Sequence, residues 1–527
     1  MQKLNTKRTI LTGLAFLSIC TFWQIYDSII PLILKEGFAI GDTLSGVIMA
    51  LDNVLALFLL PLFGHISDKC THPRGRRTPF IVVGTLIAAV ALIALSFADN
   101  AQLKRLDKVS AIDDPAALTV IYNEQKDATL LSPSGESFIL GHKFTEAEFT
   151  AIRSQTVTPE GKTVTDPAYT NYVVPARQAC ARDAAAANPG ALVVFVALLL
   201  IILLSMATFR SPAVALMPDV TPKPIRSRAN AIINLMGAVG GISYLIVAAV
   251  LYPNSKTAGA AHVNYQPLFV VVSVLMAVSV IVLYFTTNEP KLAAAEKEYE
   301  AEHPEQQLVE EEPDGSEELP KEVGRSLVML LSSIALWYIG YNGVTTWWTT
   351  YVGRVMGQGL GGASTCLLVA TGGAIVSYIP VGQMASKIGR KKTIQGGVIL
   401  LAACFASAYF LTTHYQSINA VMFVVFALVG LAWAAINVNS LPMVVEMCKG
   451  SDIGKFTGYY YTFSMAAQVV TPILAGTLLK HISYSMLFPY AAFFVACSFV
   501  TMCFVRHGDC KVEAKAGLAA FEDMDAD

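Results

Sequence analysis

The chain has 527 residues, of which 54% are hydrophobic and only 14% are charged, and its formal net charge is -2. An ordinary soluble domain carries roughly 25% charged residues, so the composition argues against one. A nucleic-acid-binding protein presents a strongly basic face, and the near-neutral balance therefore argues against nucleic acid as a partner.

Apolar residues recur in about twelve blocks of about 20 residues, the length that crosses a ~30 Å hydrocarbon core as a helix. The first block is too long for the apolar core of a signal peptide and contains Gln24 and Asp27, so we assign it as a spanning helix. The pattern predicts an all-α protein in a lipid bilayer. In chain order the blocks are 10–34, 44–64, 79–98, 191–217, 229–252, 267–287, 326–351, 362–386, 394–412, 419–447, 456–479 and 485–505.

Short basic segments lie between alternate blocks, and Lys and Arg concentrate in short cytoplasmic loops. One such segment, GHISDKCTHPRGRRTPF, runs from Gly64 to Phe80. The alternation predicts a multi-pass protein of the cell membrane with both termini in the cytoplasm. The other basic positions on this side are Lys7, Arg8, Lys223, Arg226, Arg228, Lys387, Arg390, Lys391 and Lys392. The short loops on the opposite side carry single cations, namely Lys35, Lys256, Arg354 and Lys480.

The nine cysteines form no framework, and only Cys180 lies in a long segment on the outer side. No CxxC motif or Cys/His cluster is present in the sequence, so we predict no metal site and no cofactor.

The two halves of the sequence repeat two motifs. GHISDKCTHPRGRR at Gly64 resembles GQMASKIGRKK at Gly382, and ALMPDV near Asp219 resembles LPMVVEM around Glu446. The motifs lie 155 positions apart in the first half and 64 in the second, and the difference of 91 is close to the polar stretch 99–189. We therefore predict two pseudo-symmetric six-helix bundles, an arrangement typical of secondary transporters.

These features divide the chain into five parts. The insertion contains alternating runs such as ESFILGHKF, which permit strands, so it is either a small folded domain or a flexible loop. The predicted parts are an N-terminal bundle (1–98 and 190–287), an extracytoplasmic insertion (99–189), an acidic cytoplasmic linker (288–325), a C-terminal bundle (326–506) and a cytoplasmic tail (507–527).

The two halves, the Gly-x-x-Ser-Asp…Gly-Arg-Arg loop and its weaker copy resemble the major facilitator superfamily. The Gly64 segment and PAVALMPDVTPKPIRSRANAIINLMGAVGG are similar to its sucrose-transporter-like branch, near the glycoside–pentoside–hexuronide:cation symporters. Plant sucrose transporters carry an Arg where this chain has Val214, and the Arg here is Arg210. The resemblance implies sugar or glycoside transport, usually coupled to protons, by rocking of the halves. It also implies that Asp68, Arg76 and Arg77 form a cytoplasmic latch against the inner end of helix eleven, near Gly454–Phe456.

Ionisable side chains inside hydrocarbon are functional candidates because their burial is costly. Asp27 and Asp52 lie at matching depths of ~10–12 Å below the outer ends of helices one and two. A carboxylate whose protonation depends on the side to which a cavity opens is what coupling to a proton or cation requires. The alternative is that each carboxylate only bonds neighbouring polar groups or lines a wet vestibule.

Arg210 lies in the inner half of helix four and either holds a carboxylate or donates to substrate hydroxyls. Asp219, Arg390 and Glu446 lie at the inner mouth and are interpreted as gate residues. Trp347 and Trp348, near the outer end of helix seven, are assigned to an interfacial aromatic belt.

Sugars need aromatic faces for their C–H surfaces and paired donors and acceptors for their hydroxyls. Polar and aromatic residues at membrane depth supply both, although each also fits a role in helix–helix packing. The predicted substrate-binding residues are Gln24, Asn53, Arg210, Asn234, Tyr341, Asn342, Trp433, Asn437 and Gln468.

The sequence thus favours a proton-coupled sugar or glycoside symporter, acting as a monomer. An exporter or flippase of amphiphilic molecules is the alternative within transport. A membrane enzyme or a sensor is the alternative from another class, although the sequence contains no nucleophile motif or glycine-rich phosphate loop, and no catalytic residue is predicted.

Overall fold

The structure is a computed structural model that describes residues 5–133, 135–157, 163–221, 226–253, 263–302, 320–415, 418–447 and 453–509. Within these residues, 12 helices are long and apolar enough to cross a membrane, as predicted. Labelled α1–α12 in chain order, they are Thr6–Gly37, Asp42–Asp68, Thr78–Arg105, Pro189–Val220, Arg226–Leu251, Gln266–Thr286, Lys321–Val355, Leu360–Ile388, Arg390–His414, Ala420–Val445, Ile453–His481 and Leu487–Cys503.

Some helices extend beyond the apolar blocks that predicted them. The third helix continues from the predicted end at residue 98 to Arg105, and the seventh begins at Lys321 rather than at residue 326. The first consists of helical segments Thr6–Thr12 and Leu14–Leu32 followed by a π-helical turn, Ile33–Gly37. Polar residues form the additional turns, because the backbone hydrogen bonds of a helix can continue beyond its last apolar residue.

Two separate hydrophobic cores define two bundles. One core joins buried side chains of α1 to α6, from Ala15 to Leu283, and also takes in Leu360 of α8; the other joins those of α7 to α12 and their adjoining turns, from Leu327 to Val505. The predicted two-bundle architecture is therefore confirmed. The larger core is rich in aromatic side chains, among which Trp337 and Tyr460 have no exposed surface.

The assignment of Trp347 and Trp348 to an interfacial belt is wrong, because both indoles are fully buried in the C-terminal bundle. Trp348 packs against Phe426 and Phe488, and its Nε1 donates to the Ala363 carbonyl at 3.0 Å. Both tryptophans lie near the outer end of α7, as predicted, but neighbouring helices cover the part of α7 on which they lie.

The insertion between α3 and α4 folds as a small domain around its own apolar core. Side chains with no exposed surface, including Leu118, Ile121 and Phe149, form that core. Its helices are Asp107–Ser110, Pro115–Gln125, Leu140–Lys143, Glu146–Ala151 and Val174–Ala187, the last preceded by a π-helical turn, Tyr169–Val173. Two antiparallel hairpins complete it: β1 (Thr129–Leu131) with β2 (Ser137–Ile139), and β3 (Gln155–Val157) with β4 (Thr163–Thr165).

Cys180 is a free, buried thiol of this domain. Burial raises the pKa of the Cys180 thiol to about 12, so the sulfur stays protonated and unreactive at neutral pH. The linker between the bundles contains a helix, Glu289–Glu302, whereas residues 303–319 lie outside the described part of the chain.

The bundles approach most closely where α2 meets α11. A Cβ atom on Gly46 would lie 2.2 Å from the carbonyl oxygen of Pro472, and one on Gly476 would lie 2.5 Å from that of Asp42. Such contacts are open only to glycine, because any side chain would overlap the opposing backbone. The outer halves of α2 and α11 therefore pack backbone to backbone.

The two halves also resemble each other at the N-termini of α3 and α9, each of which is capped by a carboxylate. Glu289 accepts hydrogen bonds from the backbone N–H groups of Arg76, Arg77 and Thr78, at 2.8, 2.9 and 2.8 Å. In the second half, Asp509 accepts from the backbone of Lys391 at 3.1 Å. Each carboxylate follows the last helix of its bundle and satisfies the otherwise unpaired N–H groups of the third.

The glycine before each of these helices has a positive φ and lies against the carboxylate. Gly75 has φ 112 and Gly389 has φ 94, and a Cβ on Gly75 would lie 2.2 Å from Glu289 Oε2. Conformation and space thus both require glycine in the Gly-Arg motif.

We expect Gly46→Val to separate the outer ends of α2 and α11, because the added methyl groups overlap the Pro472 carbonyl. Hydrogen–deuterium exchange of residues 38–46 and 472–484 should rise. Gly382→Val is the matched control, since a Cβ at Gly382 meets no atom within 4 Å. Equal exchange in the two variants would show that the α2–α11 contact is not tight.

We expect Glu289→Gln to lower the thermal stability of the purified protein, because the amide places an N–H group against donors and removes a charge at the α3 N-terminus. The expected cost is ~2 kcal/mol. Glu298→Gln, an exposed position on the same helix, is the control. Thermal unfolding in detergent measures both, and an unchanged melting temperature in Glu289→Gln would contradict the capping role.

Candidate functional site

A polar hollow lies between the two bundles. Its two lobes share Trp23, Gln24, Tyr341, Trp433 and Asn437, and the larger lobe encloses about 1050 Å³ including its open mouth. Pockets for small molecules span about 300–1,000 Å³. The structure brings all of the predicted coupling and substrate-binding residues to this hollow: Gln24, Asp27, Asp52, Asn53, Arg210 and Asn234 from the N-terminal bundle, and Tyr341, Asn342, Trp433, Asn437 and Gln468 from the C-terminal bundle.

The N-terminal wall of the hollow carries its charge. Asp27, Asp52 and Arg210 line the same lobe, although they come from α1, α2 and α4. Asp52 accepts a hydrogen bond from the Asn53 amide at 2.9 Å, and the Arg210 guanidinium lies 5.5 Å from the centre of the Trp23 ring. Because the two carboxylates and the guanidinium share one wall, the guanidinium can change its carboxylate partner while every charge stays inside the polar hollow.

The C-terminal wall consists of aromatic rings and amides. Tyr341 and Trp433 stack with centroids 3.7 Å apart and an interplanar angle of 6°, and Tyr338 meets Trp433 edge-on at 5.4 Å. The Asn342, Asn437 and Gln468 side chains line the lobe beside these rings. This wall therefore presents flat apolar faces next to amide donors and acceptors.

The outer end, defined as the end that carries the insertion, is closed by contacts between the bundles. Arg354 of α7 pairs with Glu36 of α1 at 2.9 Å. Asp42 of α2 pairs with Lys35 at 2.5 Å and accepts a hydrogen bond from the Tyr484 hydroxyl, also at 2.5 Å. Together with the α2–α11 contact, these bonds separate the hollow from the outer side.

These outer contacts were not predicted from the sequence, in which Lys35 and Arg354 stand as single cations of the outer loops. Glu36 and Asp42, in the same segment LKEGFAIGD, were the available signal for Lys35, because a cation and two carboxylates fall within eight residues. Arg354 has no comparable local signal, since its partner is 318 positions away.

The predicted gate residues of the first half form one cluster at the inner end, defined by the Gly64–Phe80 loop. The Arg76 guanidinium binds Asp219 at 2.6 and 3.0 Å, and Arg77 binds the same carboxylate at 2.8 Å. Arg77 also contacts Asp68 and the Ser67 hydroxyl. The cluster therefore ties α2, α3 and α4 together within one bundle.

The predicted gate residues of the second half repeat this pattern, since Arg390 pairs with Glu446 at 2.7 Å within the C-terminal bundle. The predicted latch against Gly454–Phe456 lies partly outside the described part of the structure, which does not include the side chains of residues 453–455. Phe456 is fully buried in its own bundle, and the Asp68 side chain is 51% exposed.

Two glycines near the inner end face open space among the described residues. A Cβ on Gly382 of α8 or Gly458 of α11 would meet no atom within 4 Å, and Tyr459 is 38% exposed. Among the described residues, no group of His, Cys, Asp or Glu is arranged to hold a metal ion.

Short segments of the chain are similar to plant sucrose transporters. The sucrose transport protein SUC4 of Arabidopsis thaliana is 33% identical over 76 residues, which cover 14% of this chain and 15% of that protein. The sucrose transport protein SUT3 of Oryza sativa subsp. indica is 32% identical over 65 residues, which cover 12% and 13%. The chain thus matches only about a seventh of the length of these curated relatives.

Solved structures resemble the whole fold at low identity. The nucleoside transporter NupG aligns with a TM-score of 0.56 at 12% identity, over 95% of this chain and 100% of that structure. The xylose transporter XylE of E. coli, in an inward-open conformation, aligns with a TM-score of 0.55 at 13% identity, over 97% of each chain. These similarities concern the fold alone.

The sequence also matches the family model of the Major Facilitator Superfamily over residues 184–413 and 360–518. The two matches together extend over residues 184–518, more than half of the chain, and they reach into both bundles. The chain belongs to the Major Facilitator Superfamily, a family of membrane transporters rather than enzymes.

Proposed function

We propose that the protein is a secondary active transporter that carries a sugar or glycoside together with protons by alternating access. The observation that carries the proposal is the asymmetry of the hollow: the N-terminal bundle supplies the charged side chains that line it, and the C-terminal bundle lines it with aromatic rings, amides and hydroxyls. The short matches to sucrose transport proteins favour the same substrate class.

The aromatic and amide wall supports a sugar as substrate. The stacked Tyr341–Trp433 pair offers an apolar face to the C–H surface of a pyranose ring. Asn342, Asn437 and Gln468 supply paired donors and acceptors, which the many hydroxyls of a sugar need once water is removed. A purely apolar cargo would leave these amides unpaired.

The charged wall supports coupling to protons. Among the described residues, Asp27 and Asp52 are the two carboxylates that line the hollow, and Arg210 lies beside them. When the hollow opens to one side, water reaches the carboxylates and they exchange protons with that side. Neutralisation of a carboxylate then allows the hollow to close, since a bare charge in a sealed, dry site is costly.

The two ends of the bundles support the alternation. We propose that the outer contacts of Glu36, Arg354, Asp42 and Tyr484 hold the present state, and that the inner clusters around Asp219 and Glu446 brace each bundle as it tilts. We further propose that the inner end faces the cytoplasm, that the protein resides in the cell membrane with both termini inside, and that it acts as a monomer.

The substrate class is tested first by a thermal-shift screen of sugars and glycosides on the purified protein, because a ligand that binds the folded state raises its melting temperature. Counterflow of the labelled hit in proteoliposomes then tests transport. Absence of counterflow by every sugar, together with efflux of an amphiphile, would instead favour an exporter or flippase.

We expect Trp433→Ala to weaken binding of the transported sugar about tenfold, ~1.4 kcal/mol, because the stacking face is lost. Trp433→Phe retains a flat ring and should bind within a fewfold of the unmodified protein. The sugar dependence of the melting temperature measures both. Equal binding by the two variants would remove Trp433 from the site.

We expect Asp27→Asn to abolish accumulation driven by a pH gradient while exchange of substrate across the membrane continues. The amide keeps the shape of the side chain but cannot take up or release a proton at physiological pH. Asp107→Asn, at an exposed carboxylate of the insertion, is the matched control. Unchanged accumulation in Asp27→Asn would exclude this carboxylate from coupling.

A further inference from the structure

The insertion packs against the turn that joins α1 to α2. This turn, residues 33–41, contains the π-helical segment Ile33–Gly37 and then Ala39, a non-glycine residue with φ 51. Ala39 packs on the hydrophobic core of the insertion, and the Gln102 amide at the end of α3 donates to the Gly37 carbonyl at 3.0 Å. A turn with these two uncommon conformations persists only when its surroundings hold it.

The same turn carries Glu36, and two parts of the molecule bind its carboxylate. The Gln178 amide of the insertion donates to Glu36 Oε1 at 3.0 Å and to Oε2 at 3.1 Å. Arg354 Nη2 of the C-terminal bundle donates to the same Oε1 at 2.9 Å. Glu36 is thus the point at which the insertion, the N-terminal bundle and the C-terminal bundle meet.

Gln178 is held rigidly. It lies on the helix Val174–Ala187, and its neighbours Arg177 and Ala179 are buried. The Arg177 guanidinium donates to the Tyr169 hydroxyl and to the Ala111 carbonyl, both at 2.6 Å, which fastens this helix to the rest of the domain. The insertion therefore presents the Gln178 amide from a packed domain that moves with α3 and α4.

The contribution of Gln178 differs between the closed and open states of the outer end. In the closed state the side chains of Glu36 and Arg354 are only 16% and 6% exposed, so the carboxylate has little water and needs protein donors. When the outer end opens, water replaces any missing donor. Loss of the Gln178 amide therefore destabilises the closed state and leaves the open state nearly unchanged.

We propose that the insertion is a third component of the outer gate, in which Gln178 is a positioning residue that holds Glu36 against Arg354 and thereby sets how often the outer end opens. The inference goes beyond sugar transport and proton coupling and requires neither. It gives the insertion a mechanical role in the conformational cycle of the transporter.

The test is the distance between spin labels at Lys104→Cys, at the exposed end of α3, and Tyr415→Cys, which follows α9, with solvent-accessible native cysteines replaced by serine. Pulsed electron paramagnetic resonance resolves the short, closed distance and the long, open one. We expect Gln178→Ala to raise the ratio of open to closed molecules roughly tenfold, as loss of a hydrogen bond to a buried charge implies. Gln155→Ala, at an exposed glutamine of the insertion, is the matched control and should not change the ratio.

A second set of variants, made in the Glu36→Ala protein, shows whether Gln178 acts through Glu36. In Glu36→Ala the amide has no carboxylate to position, so adding Gln178→Ala should leave the ratio unchanged. Gln178→Glu in the unmodified background should open the outer end further than Gln178→Ala, because two carboxylates then face each other. Hydrogen exchange of the helix Pro115–Gln125 verifies that the insertion remains folded in each variant.

Two results would overturn the proposal: Gln178→Ala with the distances of the unmodified protein, or an equal effect of Gln178→Ala in the Glu36→Ala background. The distances are read without substrate or gradient. A failure of the sugar or proton hypothesis therefore leaves this test, and its outcome, unaffected.

Discussion

Every ionisable side chain among the spanning helices must be paired or must face water, because hydrocarbon solvates neither charge nor hydrogen-bonding groups. Twelve apolar helices alone would form a stable bundle with no cavity. Asp27, Asp52 and Arg210 need a polar surrounding, and the hollow between the bundles provides it. The same constraint explains why Glu36 and Arg354 are paired where the outer ends meet. The position of charge thus determines where the polar hollow lies and where paired charges join the bundles.

The two ends of the molecule use ion pairs in different ways. At the inner end the pairs of Asp219 and Glu446 each lie within one bundle, so they can persist in the proposed movement of a bundle as a rigid unit. At the outer end the contacts of Glu36 and Asp42 cross between the bundles, so in the proposed cycle they break when that end opens. On this proposal, pairs within a bundle give rigidity, and pairs between bundles set the balance of states. This difference follows from which helices each partner occupies.

Much of this arrangement could be predicted from the sequence, because it depends on patterns with local causes. Apolar length gave the twelve helices, the repeated Gly-Arg motif gave the two bundles, and polar residues at membrane depth gave the lining of the hollow. The outer pairs and the buried positions of Trp347 and Trp348 were not predicted, since a helix sequence shows how apolar each position is but not which neighbour covers it. The caps formed by Glu289 and Asp509 were missed for a related reason: each carboxylate binds a helix that begins more than a hundred residues earlier.

The proposed gate role of the insertion gives a segment that breaks the repeat a part in the mechanism. The insertion has a core of its own, on which Ala39 of the α1–α2 turn packs, and its chain enters from α3 and leaves into α4, so it is attached to the N-terminal half. Its helix Val174–Ala187 reaches the turn between α1 and α2, which is the part of that half nearest the opposing Arg354. A domain placed there adds bonds to the closed outer end without altering the hollow. The insertion is joined to the first half alone, so the added domain makes the two pseudo-symmetric halves unequal at the outer end.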